Sequence, residues 1–289
     1  MTVQIEKVSL TGFCFGVRRA LDMMERASIE RGGVASLGEV VHNRQVVEYL
    51  ESVGVRVICN FDDSHGMTVA IPSHGAGPEV FSEIESRHLP LVDATCPIVD
   101  KAQKKARELH QAGFQVVIFG DPEHPEVKAV LAWAGDSALA TTDANDIVAK
   151  GRKPRRLGLM AQTTQPPQNF ARFAGRILEL AIAGVSEVRV VNTLCPSVHL
   201  RQQAAQELSR RVDLMVVVGG HHSANTRRLA EVCQEAGCET RHIETAAEIA
   251  QDWVQGKGRI GVAAGTSTPD QEVEAVLAKL KEFAEAQAH

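Results

Sequence analysis

Three of the six cysteines head the same pattern of residues: Cys14, Cys96 and Cys195. Each is followed 24 residues later by a glycine: Gly38, Gly120 and Gly219. Polar side chains follow each glycine by four residues and again by six: His42 and Arg44, His124 and Glu126, Ser223 and Asn225. The remaining cysteines lack a glycine at that spacing: Cys59, Cys233 and Cys238. The pattern indicates three like units, each contributing one cysteine.

A set of three thiolates suits an iron–sulfur cluster. A [4Fe–4S] cluster held by three cysteines leaves one iron without a protein ligand, free to bind a substrate. Apolar residues at helical spacing follow each patterned cysteine, and the N-terminus of a helix favours a negatively charged thiolate. The sequence therefore predicts a cluster with one open iron.

Further polar side chains fall in turns between predicted strands and helices. Together with the patterned residues they form one candidate set: His42, His74, His124, Glu126, Thr163, Ser223, Asn225 and Ser267. Ligands of parallel α/β units gather at the carboxyl ends of strands, so threefold packing should bring this set and the three thiolates to one central site. Histidine, hydroxyl and amide groups suit a phosphate or diphosphate. Glu126, the one carboxylate of the set, is the natural proton donor.

Alternating strands and helices must position these turns. The apolar runs 115–119 and 214–218 are typical of strands buried on both faces of a parallel sheet, whereas 34–37 is a poorer strand. The alternation predicts an α/β fold of three pseudo-symmetric parallel-sheet units packed around the central site.

The three units should cover residues 14–97, 98–193 and 194–289. The last of them lacks a final strand, because the chain stops after a predicted helix over roughly 271–288. We expect the N-terminal segment, residues 1–13 with a strand over 3–10, to complete this third unit and to join the two chain ends.

Composition narrows the class of protein. The 289 residues carry a net charge of −5 and no long basic run, so a nucleic-acid partner is not indicated. No apolar segment approaches the ~20 residues of a membrane span, and the start carries no signal peptide. We expect a cytoplasmic protein, because thiols stay reduced there and patterned cysteines then indicate metal binding or catalysis.

Eight motifs, in order along nearly the whole chain, resemble the LytB/IspH family of 4-hydroxy-3-methylbut-2-enyl diphosphate reductases. They are Gly12-Phe13-Cys14-Phe15-Gly16-Val17, Glu39-Val40-Val41-His42-Asn43-Arg44, Ser73-His74-Gly75, Asp93-Ala94-Thr95-Cys96-Pro97, His124-Pro125-Glu126-Val127, Gln162-Thr163-Thr164, Ser223-Ala224-Asn225 and Gly265-Thr266-Ser267-Thr268-Pro269-Asp270.

The resemblance implies the last step of the methylerythritol phosphate route to isoprenoids. A hydroxyl is removed reductively from an allylic diphosphate, which gives isopentenyl and dimethylallyl diphosphate. The three patterned cysteines would hold the cluster, and Thr163 would assist near the substrate hydroxyl. Glu126 would relay protons to the departing oxygen through Thr163 or through the substrate's own diphosphate. Diphosphate binding falls to His42, His74, His124, Ser223, Asn225 and Ser267. Electrons would come from a ferredoxin or flavodoxin.

Two positions depart from the family's pattern. Pro196 follows the third cysteine where an alanine–threonine turn is common, and proline removes an N–H that could bond a cluster sulfur. Ala224 stands where a second serine is common, so one diphosphate hydrogen bond would be absent.

Other functions compete with this interpretation. Quinolinate synthase also builds an open cluster from three like domains, although with other motifs. A structural zinc site of three cysteines and one histidine is the non-enzymatic alternative. A third class is an iron–sulfur sensor or carrier that binds a diphosphate without converting it. The proton donor predicted at Glu126 argues against the last.

Overall fold

The computed structural model describes residues 3–149 and 155–287. Within these residues it contains twelve β-strands. The strands are β1 (Gln4–Lys7), β2 (Val34–Leu37), β3 (Val55–Ile58), β4 (Thr68–Ile71), β5 (Leu91–Asp93), β6 (Gln115–Phe119), β7 (Leu139–Thr141), β8 (Arg156–Ala161), β9 (Glu187–Val190), β10 (Leu214–Val218), β11 (Glu239–Ile243) and β12 (Arg259–Ala264).

Ten α-helices alternate with these strands in the described part of the chain. They are α1 (Phe15–Arg31), α2 (Arg44–Ser52), α3 (Pro78–Ser86), α4 (Pro97–Gln111), α5 (Pro125–Trp133), α6 (Asp146–Ala149), α7 (Pro167–Ala181), α8 (Pro196–Ser209), α9 (Ala224–Glu235) and α10 (Asp270–Ala286). Five of them begin at proline, whose fixed φ and missing N–H suit the first helical position. Helices α4, α5 and α8 therefore start directly after Cys96, His124 and Cys195.

The strands form three four-stranded sheets that share one topology. Their orders are β3-β2-β4-β5, β7-β6-β8-β9 and β11-β10-β12-β1. If β1 is counted as the fourth strand of its sheet, the first strand of each sheet lies between the second and the third, and the fourth pairs with the third. Every pairing is parallel, so the predicted α/β class with three parallel sheets is confirmed.

The N-terminal strand supplies the fourth strand of the last sheet. β1 pairs with β12 in parallel, from Gln4 opposite Arg259 to Lys7 opposite Val262. The prediction that the N-terminus completes this sheet is confirmed. The strand covers Gln4–Lys7, shorter than the predicted 3–10, although the N–H of Val8 still donates to the carbonyl oxygen of Val262 at 3.0 Å.

Burial on both faces explains the continuous apolar strands. All five residues of β10 are buried. Leu214, Val216 and Val218 pack with α10 on one face, while Met215 and Val217 pack with α8 and α9 on the other. A parallel sheet covered by helices on both sides requires apolar side chains in both directions.

The poorer strand predicted over 34–37 is instead a central strand. β2 pairs with both β3 and β4, and its residues Val34, Ala35 and Ser36 are fully buried. Ser36 tolerates burial because its hydroxyl donates to the carbonyl oxygen of Gly38 at 2.8 Å. Burial between two neighbouring strands therefore determines that this segment forms a strand, whatever the strand propensity of its residues.

Contacts divide the chain into two compact units. The first unit comprises Met1–Arg18, Val41–Glu48 and Pro196–His289 and contains the sheet of β10. The second unit comprises Arg19–Val40 and Tyr49–Cys195 and contains the sheets of β2 and β6. The division into units at 14–97, 98–193 and 194–289 stays a prediction.

Among the described helices, none has both the length and the apolar character needed to cross a bilayer.

Candidate functional site

One hydrogen bond recurs in all three sheets and fixes the patterned cysteines. Each cysteine follows the fourth strand of its sheet, and its backbone N–H donates to the carbonyl oxygen of the second residue after the third strand. The pairs are Cys14 with Thr266 at 3.0 Å, Cys96 with Ser73 at 3.0 Å and Cys195 with Thr163 at 2.9 Å. Each bond lies within one compact unit. It sets a thiol beside the polar turn at the carboxyl end of the neighbouring strand.

The patterned cysteines are present as thiols. None of the six cysteines, all within the described residues, forms a disulfide, and the three patterned ones are half-buried. The backbone N–H of Val17, in the first turn of α1, donates to Cys14 Sγ at 3.5 Å. Cys233 differs, because it is fully buried and desolvation raises the pKa of its thiol to about 11. Its thiol therefore packs in the core.

In the second unit, Glu126 and Thr163 form a buried pair. Their side chains lie on α5 and in the turn after β8, and they are 4% and 5% exposed. Thr163 donates from its N–H to Glu126 Oε1 at 2.7 Å and from its hydroxyl to Oε2 at 2.8 Å. Desolvation raises the pKa of Glu126 above its ordinary value, while the two hydrogen bonds from Thr163 oppose that rise. The carboxyl group is therefore biased toward its protonated form.

His124 caps α5 through its ring Nδ1. Its Nδ1 accepts a hydrogen bond from the N–H of Glu126 at 3.2 Å. Because Nδ1 is the acceptor, the proton of the neutral ring lies on Nε2, which can donate to an anion. The ring is 7% exposed and lies at the N-terminus of the helix, whose dipole favours negative charge.

His74 lies beside His124 in the same unit. The two ring centroids are 5.6 Å apart, with the rings nearly perpendicular. Helix α5 is tied to the loop that carries His74, because Trp133 Nε1 donates to the carbonyl oxygen of Ala76 at 2.9 Å. The structure therefore brings together His74, His124, Glu126 and Thr163, four of the residues that the sequence assigned to the site.

In the first unit, the N-terminus of α9 presents an unused donor. Ser223 caps this helix by accepting from the N–H of Thr226 at 3.3 Å. Asn225 is 6% exposed, and its Nδ2 has no hydrogen-bond partner among the described residues. A buried amide donor without a partner costs stability, which suggests that a ligand completes it. A helix N-terminus with such a donor suits an anion.

The turn after β12 lies against this helix end. A Cβ atom on Gly265 would be 3.3 Å from Asn225 Nδ2, so the backbone of the turn passes close to that amide. Ser267, two residues later, is 5% exposed. His42 belongs to the same unit, and a Cβ atom on Gly220 would be 2.6 Å from its carbonyl oxygen. His42 therefore lies next to the loop that leads into Ser223.

Gln162 is a site residue to which the sequence assigned no role. Its Oε1 accepts from the N–H of Asp121 at 3.1 Å and from Gln165 Nε2 at 3.2 Å. It thereby holds the turn that leads to His124 beside the turn that carries Thr163. Gln162 stands within one of the recognised motifs, but nothing in the sequence identifies its partner 41 residues earlier.

The two departures from the family's pattern both lie at helix starts. Pro196 is the first residue of α8, so no backbone N–H is present there. Ala224 is the first residue of α9 and is 8% exposed.

Cys14 belongs to the first unit, and Cys96 and Cys195 belong to the second. That all three meet at one centre stays a prediction.

A family model and curated relatives match nearly the whole chain. The model described as LytB protein matches residues 5–281. A relative from Dehalococcoides mccartyi (strain CBDB1), named 4-hydroxy-3-methylbut-2-enyl diphosphate reductase, is 46% identical over 278 residues, 96% of this chain and 98% of that protein. A relative of the same name from Geobacter sulfurreducens is 40% identical over 97% of this chain and 98% of that protein.

Solved structures match the fold. A structure described as (E)-4-hydroxy-3-methyl-but-2-enyl diphosphate reductase, the terminal enzyme of the non-mevalonate pathway, is 36% identical, with a TM-score of 0.70 over 97% of this chain and 99% of that chain. The E-1-hydroxy-2-methyl-but-2-enyl-4-diphosphate reductase of Plasmodium falciparum is 23% identical, with a TM-score of 0.89 over 96% of this chain and 88% of that chain. At that identity the second match shows the fold alone.

Proposed function

Because this chain belongs to the LytB protein family, we propose that it reduces 4-hydroxy-3-methylbut-2-enyl diphosphate to isopentenyl and dimethylallyl diphosphate. The reaction consumes two electrons and two protons for each substrate. The allylic C–O bond breaks, the hydroxyl group leaves as water with one proton, and the second proton is added to carbon. Addition at either end of the allylic system accounts for two products.

Cys14, Cys96 and Cys195 are the proposed ligands of a [4Fe–4S] cluster. Their fit rests on three half-buried thiols at equivalent positions of three like sheets, each directly before a helix. Thiolate sulfur is the ligand that iron–sulfur clusters require. When bound with one open iron, such a cluster supplies electrons and a Lewis acid for the substrate hydroxyl.

Each compact unit contains proposed donors for the diphosphate. In the second unit, His124 Nε2 and the neighbouring His74 ring are the proposed donors. In the first unit, His42, Ser223, Asn225 and Ser267 take this role. The unpartnered Nδ2 of Asn225 supports it, because a diphosphate oxygen would satisfy that buried donor. Charge-assisted bonds to several oxygens give affinity and fix the substrate's orientation.

Glu126 supplies the proton, and Thr163 passes it on. Burial favours the protonated carboxyl group, which can then donate to Thr163 Oγ1 across the observed 2.8 Å contact. The threonine hydroxyl in turn donates its own proton toward the leaving oxygen. General acid catalysis of this kind requires a carboxyl group that holds its proton near neutral pH.

The proposal includes a partner and a location. The reaction needs two electrons. A ferredoxin or flavodoxin, which carries one electron at a time, delivers them in two steps. The protein works in the cytoplasm, where thiolate ligands escape disulfide formation. The observation that carries the whole proposal is the hydrogen bond repeated between each patterned cysteine and the polar turn of its sheet.

The test is anaerobic turnover by the purified protein. Wild-type protein should contain iron and acid-labile sulfide, and should consume the hydroxylated allylic diphosphate when supplied with a low-potential one-electron reductant. Glu126→Gln should keep the cluster spectrum and lose turnover by roughly 10²–10⁴-fold. Serine at any of the three patterned cysteines should lower iron content, whereas Cys59→Ser, at an exposed cysteine, should not.

Each alternative function predicts a different result. A structural zinc protein would be colourless, with zinc and no sulfide. A quinolinate synthase would leave the allylic diphosphate unchanged. An iron–sulfur sensor or carrier would change its spectrum on binding the diphosphate without consuming it, and Glu126→Gln would then have no turnover to remove.

A further inference from the structure

A buried arginine holds the loop that carries Cys14. Arg201 lies on α8 and is 6% exposed. Its guanidinium donates to three successive carbonyl oxygens, from Nη1 to Leu10 at 3.0 Å and from Nη2 to Gly12 at 2.8 Å and Thr11 at 3.4 Å. These carbonyls belong to the irregular loop between β1 and α1, just before Cys14. Both partners lie within the first compact unit.

The rest of the loop is fixed from two other elements. Gly12 has a φ of +71°, and a Cβ atom there would collide with the carboxylate of Asp270 at the start of α10. The N–H of Cys14 donates to Thr266 in the turn after β12. The loop between β1 and Cys14 forms no strand or helix, so its carbonyls depend on partners such as Arg201.

The chemistry of the contact requires arginine. A buried cation is costly unless its N–H groups are hydrogen-bonded, and three carbonyls in a row match the planar fork of a guanidinium. Lysine carries the charge on a single nitrogen and cannot span the same three acceptors. The contact therefore fixes the backbone conformation of the loop, and that conformation determines the position of the Cys14 thiol.

We infer that Arg201 is a positioning residue for Cys14 as a cluster ligand. It acts through the loop backbone, in the way that outer-shell partners orient a metal ligand. Arg201 also lies six residues after Cys195 in sequence, on helix α8. This helix begins directly after Cys195, another proposed cluster ligand. The inference rests on the proposed function, since it requires that Cys14 bind the cluster.

The experiment measures loss of iron from the anaerobic holoenzyme. Wild type, Arg201→Gln and Arg201→Lys are treated with an iron chelator in the presence of a thiol-alkylating reagent. Because losing an outer-shell partner weakens metal binding roughly 10- to 100-fold, iron release should accelerate by about that factor in Arg201→Gln. Arg201→Lys should fall between it and the wild type. Peptide mass spectrometry should find Cys14 alkylated before Cys96 and Cys195.

The matched control is Arg210→Gln, at an exposed arginine directly after the end of α8. It should release iron at the wild-type rate. Equal rates for Arg201→Gln and wild type would overturn the inference, as would equal alkylation of all three cysteines, because the substitution would then act on the whole fold. If Arg201→Gln does not fold, Arg201→Lys decides by the same two readouts. Wild-type protein that binds no iron would overturn the proposed function itself, and this inference with it.

Discussion

Thr163 bonds both carboxylate oxygens of Glu126, one through its backbone N–H and one through its hydroxyl. Both residues are buried, so burial and hydrogen bonding act on the carboxyl group in opposite directions. Desolvation is the larger effect and raises the pKa of Glu126. The buried carboxyl group is therefore biased toward its protonated form, and the Thr163 hydroxyl lies 2.8 Å from its Oε2.

Thr163→Val should remove the proton path and leave the carboxyl group in place. The backbone N–H still bonds Glu126 Oε1, but Oε2 loses its donor. We expect kcat to fall roughly 100-fold, within the range of general acid catalysis, at unchanged iron content. Thr163→Ser keeps the hydroxyl and should retain most of the activity. Equal kcat values for the valine and serine variants would contradict the relay.

Glu126→Gln should stabilise the protein increasingly as the pH rises. Because burial raises the pKa of Glu126 in the folded state, the unfolded chain loses this proton at lower pH than the folded protein. Stability is then fully present below the unfolded pKa and is lost as pH rises through the folded pKa. Glutamine stays neutral throughout, and its amide can still pair with the N–H and hydroxyl of Thr163.

Urea unfolding of anaerobic samples between pH 5 and 8 measures this effect. The free energy of unfolding of Glu126→Gln minus that of wild type should grow toward pH 8. A difference that is constant across this range would show that Glu126 has the same pKa in both states.

His124→Asn should separate the two roles of His124. Asparagine is a good N-cap, so α5 should keep its cap, whereas His124→Phe should lose about 1 kcal/mol of stability. Neither variant carries the Nε2–H donor. Losing a hydrogen bond to a charged oxygen costs about 1.5–3 kcal/mol, so the KM for the allylic diphosphate should rise by roughly 10- to 150-fold in both.

Thermal unfolding and steady-state kinetics on the same preparations check both effects. An asparagine variant with the wild-type KM would remove His124 from the diphosphate site and leave it only the capping role.

Strand ends could be predicted from the sequence because the parallel strands are apolar on both faces and end sharply. The run over 214–218 matches β10 residue for residue. The polar residues that follow such strands were identified for the same reason. The N-terminal strand was predicted by elimination, since the last sheet otherwise lacked its fourth strand, and β1 occupies that place.

Contacts between distant parts of the chain could not be predicted from the sequence. Arg201 reads as one of many charged residues on a helix, and only the fold shows that its partners are 189 to 191 residues away. The contact of Gln162 with Asp121 could not be predicted for the same reason, because the two residues are 41 positions apart. The central strand β2 looked weak because Ala35 has low strand propensity and Ser36 is polar, and burial between two neighbouring strands overrides both effects.

Asn225→Ala and Ser223→Ala should affect stability in opposite ways at one helix end. Ser223 caps α9, so its hydroxyl is used in the protein itself, and its loss should cost about 1 kcal/mol of unfolding free energy. Asn225 keeps its Nδ2 without a partner in the described part of the protein, and an unsatisfied buried donor costs about 1–3 kcal/mol. Removing it should leave the unfolding free energy unchanged or higher.

The same substitution at Asn225 should weaken substrate binding, because the proposed acceptor for that donor is a diphosphate oxygen. We expect the KM of Asn225→Ala to rise roughly 10- to 150-fold, the equivalent of one charge-assisted hydrogen bond. Denaturant unfolding and kinetics of the two variants together separate the ligand role of Asn225 from the capping role of Ser223, whose hydroxyl accepts the cap bond and still has a proton to donate to the diphosphate. If Asn225→Ala were destabilised like Ser223→Ala and kept the wild-type KM, Asn225 would be a structural residue and the anion site at α9 would lose its main support.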